Sequence, residues 1–336
     1  MKNFYDLSLE ELTEELLPLS FPAYKIKEIF FWVYKKNITD FSQITTLAKY
    51  ERNVLAEKLT CALPAYTAIS SQGSIKYRIV LSEDVIIESV VLKEKDYYTL
   101  CVSSQAGCPL GCVFCATGKA GFKRNLTSGE IIAQYMLALK SGYAVKNLVF
   151  MGMGEPLLNL DQVLKAICTL NHKLGANIGI RNFTISTSGI LKGIEQLIKS
   201  GMKFNLAISL NAATDVLRSK LMPVNKTSPF SRVISLACSY AKKTGRRVTF
   251  EYVLLKNVND SEQHARQLIK AVEHKGFHIN LIPFNQIGND YKAPSVAEVK
   301  TFSDILTVNG LNATIRYSKG ADIHAACGML ANQSCS

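Results

Sequence analysis

No apolar run in the 336 residues reaches the ~20 positions a transmembrane helix needs, which excludes helical membrane spans. No secretory leader is expected from the chain's opening residues. The stretch from Met1 to Leu19 is acidic and helical in pattern, with no basic segment leading into an apolar one. Acidic residues are scarce, 27 Asp and Glu against 39 Lys and Arg, giving a net charge of +12. That surplus fits a polyanionic partner, most simply nucleic acid, as well as it fits a basic but inert surface. The nine cysteines are odd in number, in a chain that shows no export signal. They argue against disulfide staples and for metal or redox chemistry in a reducing cytoplasm.

The length suits one large domain with a small appendage. Residues 1–62 read as a helical accessory domain. Ser8-x-x-Glu11 makes a capping box ahead of an amphipathic run to Leu17, and Pro22 suits the first turn of a second helix. Ile26, Ile29, Phe30 and Val33 follow at i, i+3, i+4, i+7 as its buried stripe, with Lys25, Lys27, Lys35 and Lys36 on or beside its solvent face. Residues 63–98 alternate polar and apolar and read as antiparallel strands leading into the core. Over 99–320 the rhythm becomes strand, loop, helix. Strand candidates lie at 100–103, 147–151, 182–186, 204–210, 248–254 and 279–283, each followed by a helical stretch such as 128–141, capped by Thr127 and Glu130. This alternation predicts an α/β fold with a parallel sheet and right-handed crossovers. Six units are too few for a closed eight-unit barrel and predict an open, partial (β/α)6 barrel, with a further strand near 313–316 at one edge. Residues 321–336 read as a mobile C-terminal loop and tail.

In such folds ligands bind past the C-terminal ends of the strands. Cys108-Pro-Leu-Gly-Cys112-Val-Phe-Cys115 follows the first strand, in a loop that Gly107 and Gly111 make flexible. Thiolates suit zinc or iron–sulfur clusters. A structural zinc site wants four ligands, and no fourth Cys or His follows at close spacing. Three cysteines on a cubane cluster leave one iron open. A zinc site completed by a distant ligand and a set of buried free thiols are the alternatives. Gly152-Met-Gly154-Glu155-Pro156 follows the second strand, Ser186-Thr-Ser188-Gly189 ends the third, Ser209-Leu210-Asn211 ends the fourth, and Asn285 follows the sixth. Each polar residue alone is an ordinary turn or cap; five such motifs on one rim make a site. Gly152 and Gly154 let the backbone approach a ligand, and Glu155 suits a cationic amino group. Cys101 lies just upstream of the cluster loop, and Cys327 lies in the small-residue run Asp322-Ile-His-Ala-Ala-Cys-Gly328. Cys61, Cys168, Cys238 and Cys335 read as small hydrophobes or bystanders.

The C-x3-C-x2-C loop, with Phe114 before its third cysteine, resembles that of radical S-adenosylmethionine (SAM) enzymes. Thr99-Leu-Cys101-Val-Ser-Ser-Gln105, Phe150-Met-Gly-Met-Gly-Glu155, Leu221-Met-Pro-Val-Asn225 and the Cys327 segment resemble, more narrowly, the RlmN/Cfr family of radical SAM RNA methyltransferases. The resemblance implies a radical SAM barrel and a [4Fe–4S] cluster on Cys108, Cys112 and Cys115. It implies SAM contacts at Gly154, Glu155, Ser186, Ser209, Leu210, Asn211 and Asn285. Cys327 would carry a methyl group, Cys101 would resolve the protein–RNA adduct through a transient disulfide, and Glu88 would accept a proton. Met151 would line the reactive site. The implied substrate is an adenine of 23S rRNA, and possibly of tRNA, methylated at carbon 2 or, as the alternative, carbon 8. Both are electron-poor sp2 carbons that cannot attack a methyl donor directly. An electron donor such as flavodoxin or ferredoxin is implied too. Lys119, Lys123, Arg124, Lys220, Lys226, Lys242, Lys243, Arg246 and Arg247 are candidate phosphate contacts. Two positions depart from the family: Asn211 replaces a histidine, and His324 replaces an acidic residue. A protonated His324 would favour the Cys327 thiolate. The competing readings are a radical SAM activase, which needs neither Cys101 nor Cys327, and a non-catalytic RNA-binding protein with a structural metal.

Overall fold

The computed structural model describes residues 1–272, 276–288 and 290–331; Cys335 lies outside the described residues. Three helices open the chain, α1 (Leu9–Leu16), α2 (Ala23–Lys35) and α3 (Lys49–Lys58). The capping box of α1 forms as its spacing predicts. Ser8 Oγ accepts from the Glu11 amide at 3.2 Å, and the Glu11 carboxylate accepts from the Ser8 amide at 2.7 Å. Pro22 stands one place earlier than expected, as the cap of α2, where its backbone is extended (φ −69°, ψ 151°) and its missing N–H costs nothing. Ile26, Ile29, Phe30 and Val33 are fully buried.

Ten strands form one sheet whose spatial order is the chain order: β1 (Ala65–Ser71), β2 (Ser74–Ser82), β3 (Val85–Lys93), β4 (Tyr98–Cys101), β5 (Val145–Phe150), β6 (Phe183–Thr187), β7 (Asn205–Ser209), β8 (Val248–Leu254), β9 (His278–Pro283) and β10 (Asn312–Ile315). β1 to β4 pair antiparallel, and β4 to β10 pair parallel throughout. A single turn, α4 (Ala116–Lys119), follows the third cysteine. The crossovers are α5 (Ser128–Lys140), α6 (Leu160–Asn171), α7 (Leu191–Ser200), α8 (Asp215–Leu221) with α9 (Phe230–Thr244), α10 (Glu262–Val272) and α11 (Val296–Val308). β1 and β10 are the two edges and do not pair, so the barrel is open. Strand ends differ from the periodicity by at most two residues, as expected where the hydrophobic signal fades into polar loops, and β8 matches at both ends. Among the described residues no helix is long and apolar enough to cross a membrane.

The first three helices share one hydrophobic cluster with the barrel. Asp6 Oδ1 accepts from the Gly129 amide at 2.7 Å, at the start of α5, and a Cβ on Gly129 would lie 2.6 Å from that oxygen. Only glycine admits this approach. Phe4 packs on Phe30 and Phe41, with ring centroids 6.2 and 5.9 Å apart, and Glu11 pairs with Lys165 of α6 at 2.6 Å.

Candidate active site

Alternation along the parallel strands aims every second side chain into the barrel. Cys101, Val149, Ser186, Ser209, Glu251, Val253, Ile282 and Arg316 thereby line one cavity of about 350 Å³, together with Met151, Gly154, Glu155, Cys108, Cys112, Cys115 and Cys327. Three polar loops on one rim therefore meet at a single hollow. The fourth does so only through Ser209, and the fifth, Asn285, does not line it.

The cysteine loop is held rather than flexible. A short antiparallel ribbon, Gln105–Gly107 with Phe122–Asn125, closes its base, and the Cys108 amide donates to the Gly121 carbonyl at 2.8 Å. Gly107 has φ +80°, and a Cβ there would sit 2.0 Å from that carbonyl oxygen, so the glycine serves close approach, not mobility. The far side rests on Leu221-Met-Pro-Val-Asn225. The Val113 amide donates to the Leu221 carbonyl at 3.1 Å, and Cys112 packs with Leu221, Met222 and Val224. Burial pushes the Cys108 thiol up to about 12 and the Cys112 thiol higher still, with neighbouring thiols and Glu155 adding to both. Such thiols ionise together only when a strongly positive group joins them. Cys108, Cys112 and Cys115 all line the one hollow, and three soft thiolates are a donor set that fits an iron–sulfur cluster.

Glu155 is buried beside this loop, its carboxylate accepting from the Ser188 amide at 2.7 Å and the Leu157 amide at 3.0 Å. Burial raises its pKa against those bonds. Gly152 and Gly154 bring the loop against the backbone of Val102 and Ser103 and against Gln105, where a Cβ would lie within 2.8 Å. Their close approach is to the neighbouring strand and ribbon. Leu210 and Asn211 do not line the cavity. Asn211 sits behind it at φ +59°, a conformation asparagine tolerates, accepting from the Val253 amide at 2.8 Å and donating to Met222 Sδ at 3.2 Å.

Within the described residues, the segment around Cys327 is docked against the barrel rather than loose. Ala325 and Ala326 are buried, and the Gly328 carbonyl accepts from the Ala116 amide at 2.7 Å. Asn285, also outside the cavity lining, donates to the Cys327 carbonyl at 3.0 Å and to Ser318 Oγ at 2.8 Å. Glu88 is buried in the middle of β3. Its carboxylate pairs with Lys76 at 3.2 Å and accepts from the Ala331 amide at 3.0 Å. The exposed surface of Cys327 faces the cavity that Cys101 also lines, and both thiols are free. Burial pushes Cys101 up to about 12 and Cys327 up to about 11. The cation that acts on both is Arg316, in place of the His324 expected from the sequence. His324 is exposed, at φ +50°.

The profile of the radical SAM superfamily matches residues 102–269. A probable dual-specificity RNA methyltransferase RlmN of Dictyoglomus thermophilum is 42% identical over 336 residues, spanning 98% of this chain and 97% of that one. Its counterpart in Thermotoga petrophila is 43% identical over the same shares. The crystal structure of a radical SAM methyltransferase from Sphaerobacter thermophilus superposes with a TM-score of 0.93 at 40% identity, covering 98% of this chain and 99% of that one. The chain belongs to the RlmN family of radical SAM RNA methyltransferases. It is therefore an enzyme, and the zinc-only RNA-binding reading is set aside.

Within this RlmN-family barrel three residues escaped the sequence. Arg218 of α8 has no exposed surface. It donates to the carbonyls of Ser188, Ser209, Leu210 and Ser228 and to Asn225 Oδ1, at 2.7 to 3.2 Å, and so fixes the ends of β6 and β7. Burial lowers its pKa to about 10 without costing it the charge. In sequence it is one more charge on a short helix. Glu251 and Arg316 are the other two. Several candidate phosphate contacts are already engaged: Lys119 with Asp290 at 2.7 Å, and Arg124 with both Glu130 oxygens at 2.7 Å. Lys220, Lys226, Lys242, Lys243 and Arg247 are exposed.

Proposed function

We propose that the chain methylates carbon 2 of an adenine in 23S rRNA, and also in tRNA, using Cys327 as the carrier of the methyl group. The observation that carries this reading is the placement of two free thiols, Cys101 and Cys327, in the same cavity as the three-cysteine loop. A radical SAM activase has no use for that pair. Cys108, Cys112 and Cys115 would hold the [4Fe–4S] cluster, and Gly154, Glu155, Ser186 and Ser209 would contact SAM. When bound, the cluster and SAM supply a hydrogen-abstracting carbon radical.

The chain's own residues do the rest. Cys327 takes a methyl group from one SAM substrate as a thiolate, which Arg316 favours against burial. Asn285 and the Ala116 amide hold the Cys327 segment at the cavity. Once the base is joined to the Cys327 sulfur through the methylene carbon and the adduct has given up one electron, the Cys101 thiolate attacks that sulfur. The S–S bond forms as the C–S bond breaks, the released carbon takes up a proton to become the methyl group, and a reductant returns the disulfide to two thiols. The target base must leave its stack to enter the cavity. The exposed basic residues supply phosphate contacts, and a flavodoxin or ferredoxin supplies electrons.

The test is nucleoside mass spectrometry on RNA treated with anaerobically reconstituted protein, SAM and a reductant, beside Cys327→Ala. The expected product is 2-methyladenosine, formed by wild type alone. An 8-methyladenosine product would move the target to carbon 8. 5′-Deoxyadenosine without methylated RNA from wild type would sink the proposal.

A further inference from the structure

Glu251 is 5% exposed and lines the cavity, yet its Oε2 has no hydrogen-bond partner among the described residues. Leaving a buried carboxylate oxygen unpaired is costly, so the site is built for a donor that arrives with a ligand. Its other oxygen is fixed. Oε1 accepts from Asn280 Nδ2 at 3.1 Å, and Asn280 Oδ1 accepts in turn from Thr314 Oγ1 at 2.9 Å. The register Glu251–Asn280–Thr314 runs straight across β8, β9 and β10, so the carboxylate cannot swing away easily. Arg316, two residues past Thr314, turns to the same hollow. Among the described residues its guanidinium has one contact in hydrogen-bond range, the Met151 sulfur at 3.9 Å.

The cavity holds two buried carboxylates with different company. Glu155 acts on Cys108 and Cys112 and belongs to the cluster end. Glu251 and Arg316 line the same hollow as Cys101 and Cys327, and the Arg316 charge acts on all three of the others. An acceptor beside a donor complements the Watson–Crick edge of adenine, which offers an amino donor at N6 and an acceptor at N1. Guanine and hypoxanthine offer N1–H and an oxygen at those places and would set like against like.

We propose that Glu251 and Arg316 read the target base: Glu251 accepts a hydrogen bond from the exocyclic amino group, and Arg316 donates to ring N1. N1 adjoins carbon 2, so this grip turns carbon 2 toward Cys327. The inference rests on the RNA-adenine reading above.

The test uses a short RNA carrying the proposed target adenosine, and the same RNA with purine riboside, which lacks the amino group, at that position. Wild type should methylate the adenosine RNA about tenfold faster or more, the worth of a hydrogen bond to a charged group. Glu251→Ala should lose that preference and treat the two RNAs alike, and Glu251→Gln should keep part of it. If wild type methylates both RNAs equally, or Glu251→Ala still prefers adenosine as strongly, this inference fails while the methyltransferase reading stands. If Glu251→Ala weakens SAM binding tenfold in equilibrium dialysis, Glu251 serves SAM and the inference is overturned. A wild type that methylates neither RNA takes down both.

Discussion

Arg218 satisfies five acceptors from three separate loops, and no water can replace it because it has no exposed surface. Arg218→Met keeps the stem but strands those acceptors. We expect it to lower unfolding free energy by about 3–5 kcal/mol in denaturant titration, the scale for breaking a buried charged network. A second residue-scale prediction concerns the thiol of Cys327. Burial raises its pKa and Arg316 lowers it, with the net result about 11. Alkylation of Cys327 in cluster-free protein should therefore be slow at pH 7 and climb through pH 9 to 11, read peptide by peptide in mass spectra. Arg316→Met removes the favourable charge and should move the profile to higher pH. His324→Ala should leave it in place. A profile that levels off below pH 8 would refute the assignment.

At the scale of elements, the ribbon below the cysteine loop decides whether the three thiols face one hollow. Gly107→Ala would drive a Cβ to 2.0 Å from the Gly121 carbonyl at a φ of +80°. The ribbon must open, at a cost of about 1–3 kcal/mol. The parallel strands do not depend on it, so the chain should fold, yet bind less than half the wild-type iron and sulfide after reconstitution. Full loading would show that the ribbon does not set the loop. The strand–helix alternation, the capping boxes at Ser8 and Thr127 and the cysteine spacing were all legible in the sequence, because each is a local pattern with a local cause. Glu251 and Arg316 were not. They meet only through the register of β8, β9 and β10, which no local pattern encodes. The bond between Glu88 and the Ala331 amide was not legible for the same reason: the two lie 243 residues apart.

Across the whole molecule, the segment bearing Cys327 is where separate parts of the fold converge. Glu88 in the antiparallel part of the sheet holds Ala331, Ala116 beside the cysteine loop holds Gly328, and Asn285 beyond β9 holds the Cys327 carbonyl. Glu88 lies outside the cavity lining, which favours a fastening role over proton acceptance at the base. The two roles separate experimentally. Glutamine keeps a carbonyl oxygen for the Ala331 amide but cannot take a proton, and pairing it with Lys76→Met avoids an orphaned buried ammonium. Exchanging a buried ion pair for neutral groups is often close to neutral, so the double variant should methylate RNA within about threefold of wild type. Glu88→Ala alone frees Ala331, and should expose the chain beyond residue 320 to proteolysis while methylation falls well below that of the double variant. A double variant as inactive as Cys327→Ala would restore Glu88 as the proton acceptor, and would require the C-terminal segment to shift so that the carboxylate reaches the base.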